Sequence, residues 1–160
     1  MPMFSPQPIT LVAVAGGFAA TLVMTVSFLN YRSELPFPTA EIWNRLTGGR
    51  ELFGSPYVGP IILLFLLGTT LAAGFPWVLW NVVRFHNTAY YNTFPEAMLT
   101  GLVFGLLFYG ISVLAVGVGL LHIELTESQA LRYFFVHILF GLVYGLWMGL
   151  ATNLWYPIFF

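Results

Sequence analysis

Three histidines, at positions 86, 122 and 137, are the side chains of this 160-residue chain best suited to chemistry. His137 falls about two helical turns inside the last apolar stretch, and an ionisable residue inside a membrane span is a functional candidate by default. His122 closes the preceding stretch. Because the connection is short, we expect both histidines towards the same face, close to Glu124 and Glu127. His86, just past the second stretch, is expected at the membrane interface.

His137 and His122 are therefore predicted to contact a quinone or haem b. The alternative for His137 is a hydrogen bond to a backbone carbonyl or to a polar group of a neighbouring subunit. We predict no metal site, because stable sites generally need three or more ligands. Glu96 falls in the first turn of the third stretch, where a carboxylate favourably meets the helix dipole. Proton uptake is the alternative for Glu96, although a relay would need further acidic groups within the spans.

The composition excludes several kinds of chemistry and one class of partner. The chain has no cysteine and no lysine. It can therefore form neither a thiolate-bound iron–sulfur cluster nor a thioether haem attachment nor a retinal Schiff base. The formal net charge of −1 predicts no nucleic-acid partner. The remaining polar residues form no nucleophile–base–acid set, so we predict no catalytic residues and no enzyme activity by the chain alone.

Charged residues make up 7% of the chain and hydrophobic residues 59%. A soluble domain has about 25% charged residues, so the chain is predicted to be embedded in a membrane. A hydrocarbon layer about 30 Å thick needs roughly 20 apolar residues per helix. We predict an all-α bundle of four transmembrane helices in a single domain, 1–160, with spans at about 9–31, 58–84, 95–121 and 130–156. The N-terminus lacks the basic region of a signal peptide, so the first span is expected to be retained.

The connections between spans are short, and one contains a further helix. Thr39 to Leu46 places Ile42, Trp43 and Leu46 on one helical face, and the glycines that follow can end the turn. This pattern predicts a short interfacial helix that anchors the loop, or alternatively a docking surface for a neighbouring subunit.

Arginine positions predict the orientation. Arg32, Arg45, Arg50 and Arg132 belong to one side of the bundle, and Arg84 belongs to the other. Because cytoplasmic loops carry the excess of basic residues, both termini are predicted on the non-cytoplasmic side.

Small residues recur at four-residue spacing, which places them on one helix face where another backbone can approach closely. The predicted packing positions are Gly101, Gly105, Gly141, Gly145 and Gly149. The phenylalanines near the inner end of the fourth span, Phe134, Phe135 and Phe140, are expected to contact lipid or a partner helix, with a bound pigment or quinone as the alternative.

These features favour a non-catalytic accessory or structural subunit of a larger membrane complex, in respiratory or photosynthetic electron transfer. The expected partners are other membrane subunits and lipids. We expect the chain to have no cofactor of its own. Quinone or haem b is expected at an interface with another subunit, and bound lipids are expected as well. One alternative is a membrane anchor subunit of a redox enzyme that contacts quinone or haem. A small transporter or channel is the other, and it would need a polar path through the bundle. The expected location is a prokaryotic cytoplasmic membrane.

Overall fold

Continuous apolar runs fold as helices because a bilayer core offers no water to backbone N–H and C=O groups, and a helix satisfies them internally. The computed structural model describes residues 6–31, 39–81 and 93–155. Its helices are α1 (Pro6–Asn30), α2 (Ala40–Thr47), α3 (Val58–Asn81), α4 (Phe94–Tyr109) and α5 (Glu127–Leu150); α4 and α5 continue as π-helices, Gly110–Leu120 and Ala151–Trp155. Four helices are long and apolar enough to cross a membrane. The predicted all-α bundle with one additional short helix is confirmed, and the chain is an integral membrane protein.

Two capping boxes fix where the third and fourth spans begin. The Thr93 hydroxyl accepts from the Glu96 N–H, and the Glu96 carboxylate accepts from the Thr93 N–H at 3.1 Å. Thr126 and Gln129 form the same reciprocal pair, so α5 begins at Glu127, one turn before the predicted position. Each box satisfies backbone donors that the first helical turn leaves without partners.

The spans alternate in direction, as contacts at the two ends of the bundle show. At one end, the Arg132 guanidinium lies 5.5 Å from the centre of the Tyr31 ring, so α5 begins where α1 ends. At the same end, Arg45 of α2 donates to the Leu121 carbonyl just beyond the third span. At the opposite end, Gly149 lies against Phe94 at the start of α4. Arg45 and Arg132 therefore share one end; Arg32 and Arg84 lie outside the described residues.

Glycines bring α4 and α5 into backbone contact. A Cβ added to Gly101 would meet the Gly141 carbonyl, and one added to Gly105 would meet the His137 carbonyl. A Cβ at Gly145 would lie only 2.6 Å from the carbonyl oxygen of Ala97. The predicted glycine series thus lies at the interface between these two helices, with no room for a methyl group at Gly101, Gly105, Gly141 or Gly145 and a tight fit against Phe94 at Gly149.

Helix α1 packs against both α3 and α5 through small residues. Gly17 lies against Ala72 of α3, and Gly68 of α3 lies against the Thr21 side chain. On another face of α1, Gly16 lies against Trp147 of α5.

Aromatic rings fill the space between α3, α4 and α5. The Phe104 ring stacks on Phe75 at 4.3 Å and meets Tyr144 at 5.0 Å and Phe140 at 5.5 Å between ring centres. Phe140 is fully buried in this core, so the expectation that it contacts lipid or a partner was wrong. Phe135, five residues earlier and on the outer face, is 59% exposed.

Helix α3 contains Pro76, and a neighbouring helix compensates for it. Proline has no N–H, so the carbonyl four residues earlier, that of Ala72, loses its helical donor. The hydroxyl of Tyr144 donates to this carbonyl at 3.2 Å. Tyr144 therefore links α5 to α3 at the point where the helical bonding of α3 is interrupted.

Candidate functional site: a buried histidine and serine

His137 lies in the core of the bundle, on the α5 face that meets the third span. Its side chain is 0% exposed. The rings of Phe108 and Tyr109 meet the imidazole edge-on, with ring centres 5.1 and 5.6 Å away. Phe108 and Tyr109 are consecutive residues near the end of α4, so the last turn of that helix packs against the histidine.

Both ring nitrogens of His137 are engaged within the chain. Nδ1 lies 2.7 Å from the carbonyl oxygen of Tyr133, one turn earlier in α5. Nε2 lies 2.9 Å from the hydroxyl oxygen of Ser112 in the third span. The Ser112 hydroxyl in turn lies 2.6 Å from the carbonyl oxygen of Phe108. A chain of three hydrogen bonds thus connects α5 to the third span.

This chain of three bonds needs three hydrogens, because the carbonyls of Tyr133 and Phe108 only accept. Ser112 supplies one hydrogen and a neutral imidazole supplies one, whereas an imidazolium supplies two. With a neutral ring, the Ser112 hydroxyl donates either to Nε2 or to Phe108, and one bond stays unmade. With a charged ring, all three bonds form. A charged ring is nevertheless costly in this fully buried, largely apolar site, so the neutral imidazole is the favoured form and two of the three bonds are made at a time.

The site lies at a change in helix type. Ser112 is the third residue of the π-helix that continues α4 from Gly110 to Leu120. The wider π-helical turn changes the direction of side chains relative to an α-helix, and such segments are frequent at functional sites. Nothing in the apolar pattern of the third span signals this change, so the sequence did not distinguish Ser112 from the other hydroxyl residues of the spans.

His122 has a different environment. It is exposed and follows the π-helix with a positive φ of 55°, a left-handed conformation for which histidine is enriched. Beside it, the N–H of Leu121 donates to the Val116 carbonyl, and the N–H of Ile123 donates to the Gly117 carbonyl at 3.0 Å. His122 therefore ends the third span, in the manner of a left-handed helix cap.

The two histidines predicted as a pair thus differ in exposure and in local role. Axial haem ligation by His137 would require its Nε2, which lies against Ser112. Within residues 6–31, 39–81 and 93–155, no group of three or more histidines and carboxylates is placed to hold a metal ion. His86 lies outside the described residues.

The acidic candidates are accounted for by helix capping or lie at the surface. Glu96 completes the capping box with Thr93, as described above. Glu124 and Glu127 are exposed near the start of α5. The described carboxylates do not extend the hydrogen-bond chain of His137, which consists of Tyr133, Ser112 and Phe108.

Comparison of the chain with models of protein families, with curated proteins and with solved structures found no match.

Proposed function

We propose that this protein is a non-catalytic accessory subunit of a larger membrane complex. The buried histidine and the buried threonines of the described residues support this proposal, because each of them connects parts of the bundle or bonds its own helix. His137 binds Ser112, and Thr21 donates back to the Gly17 carbonyl. Thr39 donates to the Pro60 carbonyl and so fixes α2 on α3. These side chains stabilise the bundle, and together they do not form a set of catalytic side chains for group transfer.

The proposed binding of a partner subunit rests on an uncovered groove on α3, here called the notch, which is formed at Thr70 and Gly74. A Cβ at Gly17, Gly68, Gly101 or Gly145 would meet another helix of this chain, whereas one at Gly74, like one at Gly110, would have nothing within 4 Å. Thr70, four residues earlier on the same face, is exposed. A small residue every fourth position is the surface that a second transmembrane helix packs against.

The test is purification of the native protein in mild detergent, followed by identification of the chains that accompany it. We expect partner membrane subunits, and we expect Gly74→Leu to lose them because the leucine fills the notch. Leu99→Phe is the matched control, because Leu99 is exposed on α4 and the phenylalanine only adds bulk to an outer face of that helix. A monomer or homodimer as the sole native species would contradict the proposal, as would retention of every partner by Gly74→Leu.

We further propose that the complex acts in respiratory or photosynthetic electron transfer in a prokaryotic cytoplasmic membrane, with both termini on the non-cytoplasmic side. An absorption spectrum of the purified assembly tests the first part, because such assemblies carry haem or pigment. The rival role, contact of His137 with quinone or haem, predicts that His137→Ala alters this spectrum or the quinone turnover. An unchanged spectrum and turnover in that variant would favour the accessory role.

A further inference from the structure

The loop between the first two spans contains a phenylalanine in an unusual position. Leu52 and Ser55 form a two-residue turn in which the Ser55 N–H donates to the Leu52 carbonyl at 3.0 Å. The central residues, Phe53 and Gly54, have positive φ values of 54° and 69°. Turns of this kind favour asparagine and glycine, because a bulky side chain is strained there. The Phe53 side chain is nevertheless 93% exposed.

The turn lies close to the membrane end of α3. Only Pro56 and Tyr57 separate it from Val58, where α3 begins. Helix α2 lies beside the same end, because Trp43 packs on Gly59 and donates from its indole N–H to the Arg50 carbonyl. The loop is therefore held against the first turn of α3, at the end of the apolar span Val58–Leu79.

A second apolar side chain of this loop is also largely exposed. Leu46, near the end of α2, is 71% exposed, while Asn44 lies on the opposite face of the same helix. The charges of the described loop balance, with Arg45 and Arg50 against Glu41 and Glu51, so nothing in it selects an anionic surface.

We propose that the Phe53 turn, residues 52–55, inserts into the boundary between lipid headgroups and acyl chains, and that the exposed Leu46 of α2 enters the same boundary. The occupant of this surface is the bilayer itself, because only two residues separate the turn from the start of the apolar span formed by α3. Burial of the phenylalanine in that boundary compensates for its strained backbone. Balanced charge makes insertion equal in zwitterionic and anionic membranes. This inference does not depend on the proposed partner subunits.

The chain contains no cysteine, so single spin labels can be placed in it without background. Phe53→Cys, Leu46→Cys and Asn44→Cys would be labelled in the full chain and reconstituted in phosphatidylcholine vesicles, with and without phosphatidylglycerol. Collisions of each label with oxygen and with a water-soluble nickel chelate report depth. We expect oxygen-to-nickel collision ratios at 53 and 46 several times that at 44, in both lipid mixtures. Nickel-accessible labels at 53 would overturn the proposal, as would labels shielded from both reagents.

A second variant separates insertion of Phe53 from the affinity of the label for lipid. Phe53→Asn keeps the turn, since asparagine tolerates positive φ, but removes the apolar side chain. A label at the exposed position 51, in Glu51→Cys, should become several times more accessible to nickel when Phe53→Asn is added. The label at Asn44 should not change. Equal accessibility at 51 with and without Phe53 would show that the phenylalanine does not hold the loop in the membrane.

Discussion

At the scale of single residues, the buried pair of His137 and Ser112 stabilises the contact between α5 and the third span. We expect Ser112→Ala to reduce the free energy of unfolding by about 1–3 kcal/mol, because Nε2 of a fully buried histidine then loses its partner. His137→Phe removes that nitrogen, and Ser112 keeps its bond to the Phe108 carbonyl. The phenylalanine variant should therefore lose less stability than Ser112→Ala.

The double variant Ser112→Ala/His137→Phe provides the decisive comparison. It should recover much of the stability lost in Ser112→Ala, because no buried polar atom is left without a partner. Unfolding in mixed detergent micelles, followed by far-ultraviolet circular dichroism, measures all three variants. Additive losses in the double variant would show that the two side chains do not interact.

His122 permits a prediction that separates a capping role from cofactor ligation. Its φ of 55° strains any residue with a side chain, whereas glycine adopts this conformation freely. We therefore expect His122→Gly to leave the protein folded and to raise its unfolding free energy, by up to about 1 kcal/mol. The same unfolding measurement tests this value. Loss of a haem spectrum from the purified assembly in this variant would instead support ligation.

Tyr144 and Pro76 form a further pair that single substitutions can test. Tyr144→Phe keeps the ring in the aromatic core but removes the hydroxyl that donates to Ala72. We expect a loss of about 1 kcal/mol. In a Pro76→Ala background, the restored backbone N–H can donate to that carbonyl, and the loss should shrink. Equal losses in both backgrounds, measured by unfolding in micelles, would contradict the compensating role of Tyr144.

At the scale of helices, the close approach of α4 and α5 depends on glycine. A Cβ at Gly145 would lie 2.6 Å from a backbone oxygen, so Gly145→Ala must push the helices apart. We expect it to cost about 1–3 kcal/mol, the range for overpacked sites. Gly110→Ala is the matched control, since its Cβ has nothing within 4 Å.

The outcome to measure is the unfolding free energy of each glycine variant. Gly110→Ala should be neutral or slightly stabilising, because alanine favours helix more than glycine does. Gly145→Leu should be more disruptive than Leu146→Gly, since Leu146 lies on an exposed face. A Gly145→Ala protein as stable as the parent chain would show that the helices separate without cost.

The four spans could be predicted from the sequence because a membrane-crossing helix needs an apolar run of fixed length, which composition alone reveals. The start of α4 at Phe94 lies within one residue of the predicted position, whereas the start of α5 was less apparent, since the capping box at Thr126 extends that helix into polar sequence. The pairing of Ser112 with His137 could not be predicted. It depends on the relative rotation of two helices and on a change to π-helical geometry, and neither leaves a periodic signal. The burial of Phe140 was missed for the same reason, because every face of an apolar helix looks alike in sequence.

At the scale of the whole molecule, the bundle has a distinct arginine-bearing end. Arg45 contacts the end of the third span and Arg132 contacts the end of α1, so both lie at the end that also carries α2. Basic residues are retained on the cytoplasmic side during insertion. We therefore expect α2 in the cytoplasm and the N-terminus on the opposite side of the membrane.

Two single-cysteine variants of this cysteine-free chain test the orientation. Ser5→Cys places a thiol in the N-terminal segment, and Asn44→Cys places one on the exposed face of α2. An impermeant thiol reagent added to intact cells with a permeabilised outer membrane should label position 5 and not position 44. Position 44 should react only after the inner membrane is broken. The reverse labelling pattern would show an inverted topology. Each position serves as the control for the other, because shielding by a partner subunit would block labelling at one position without making the other position reactive.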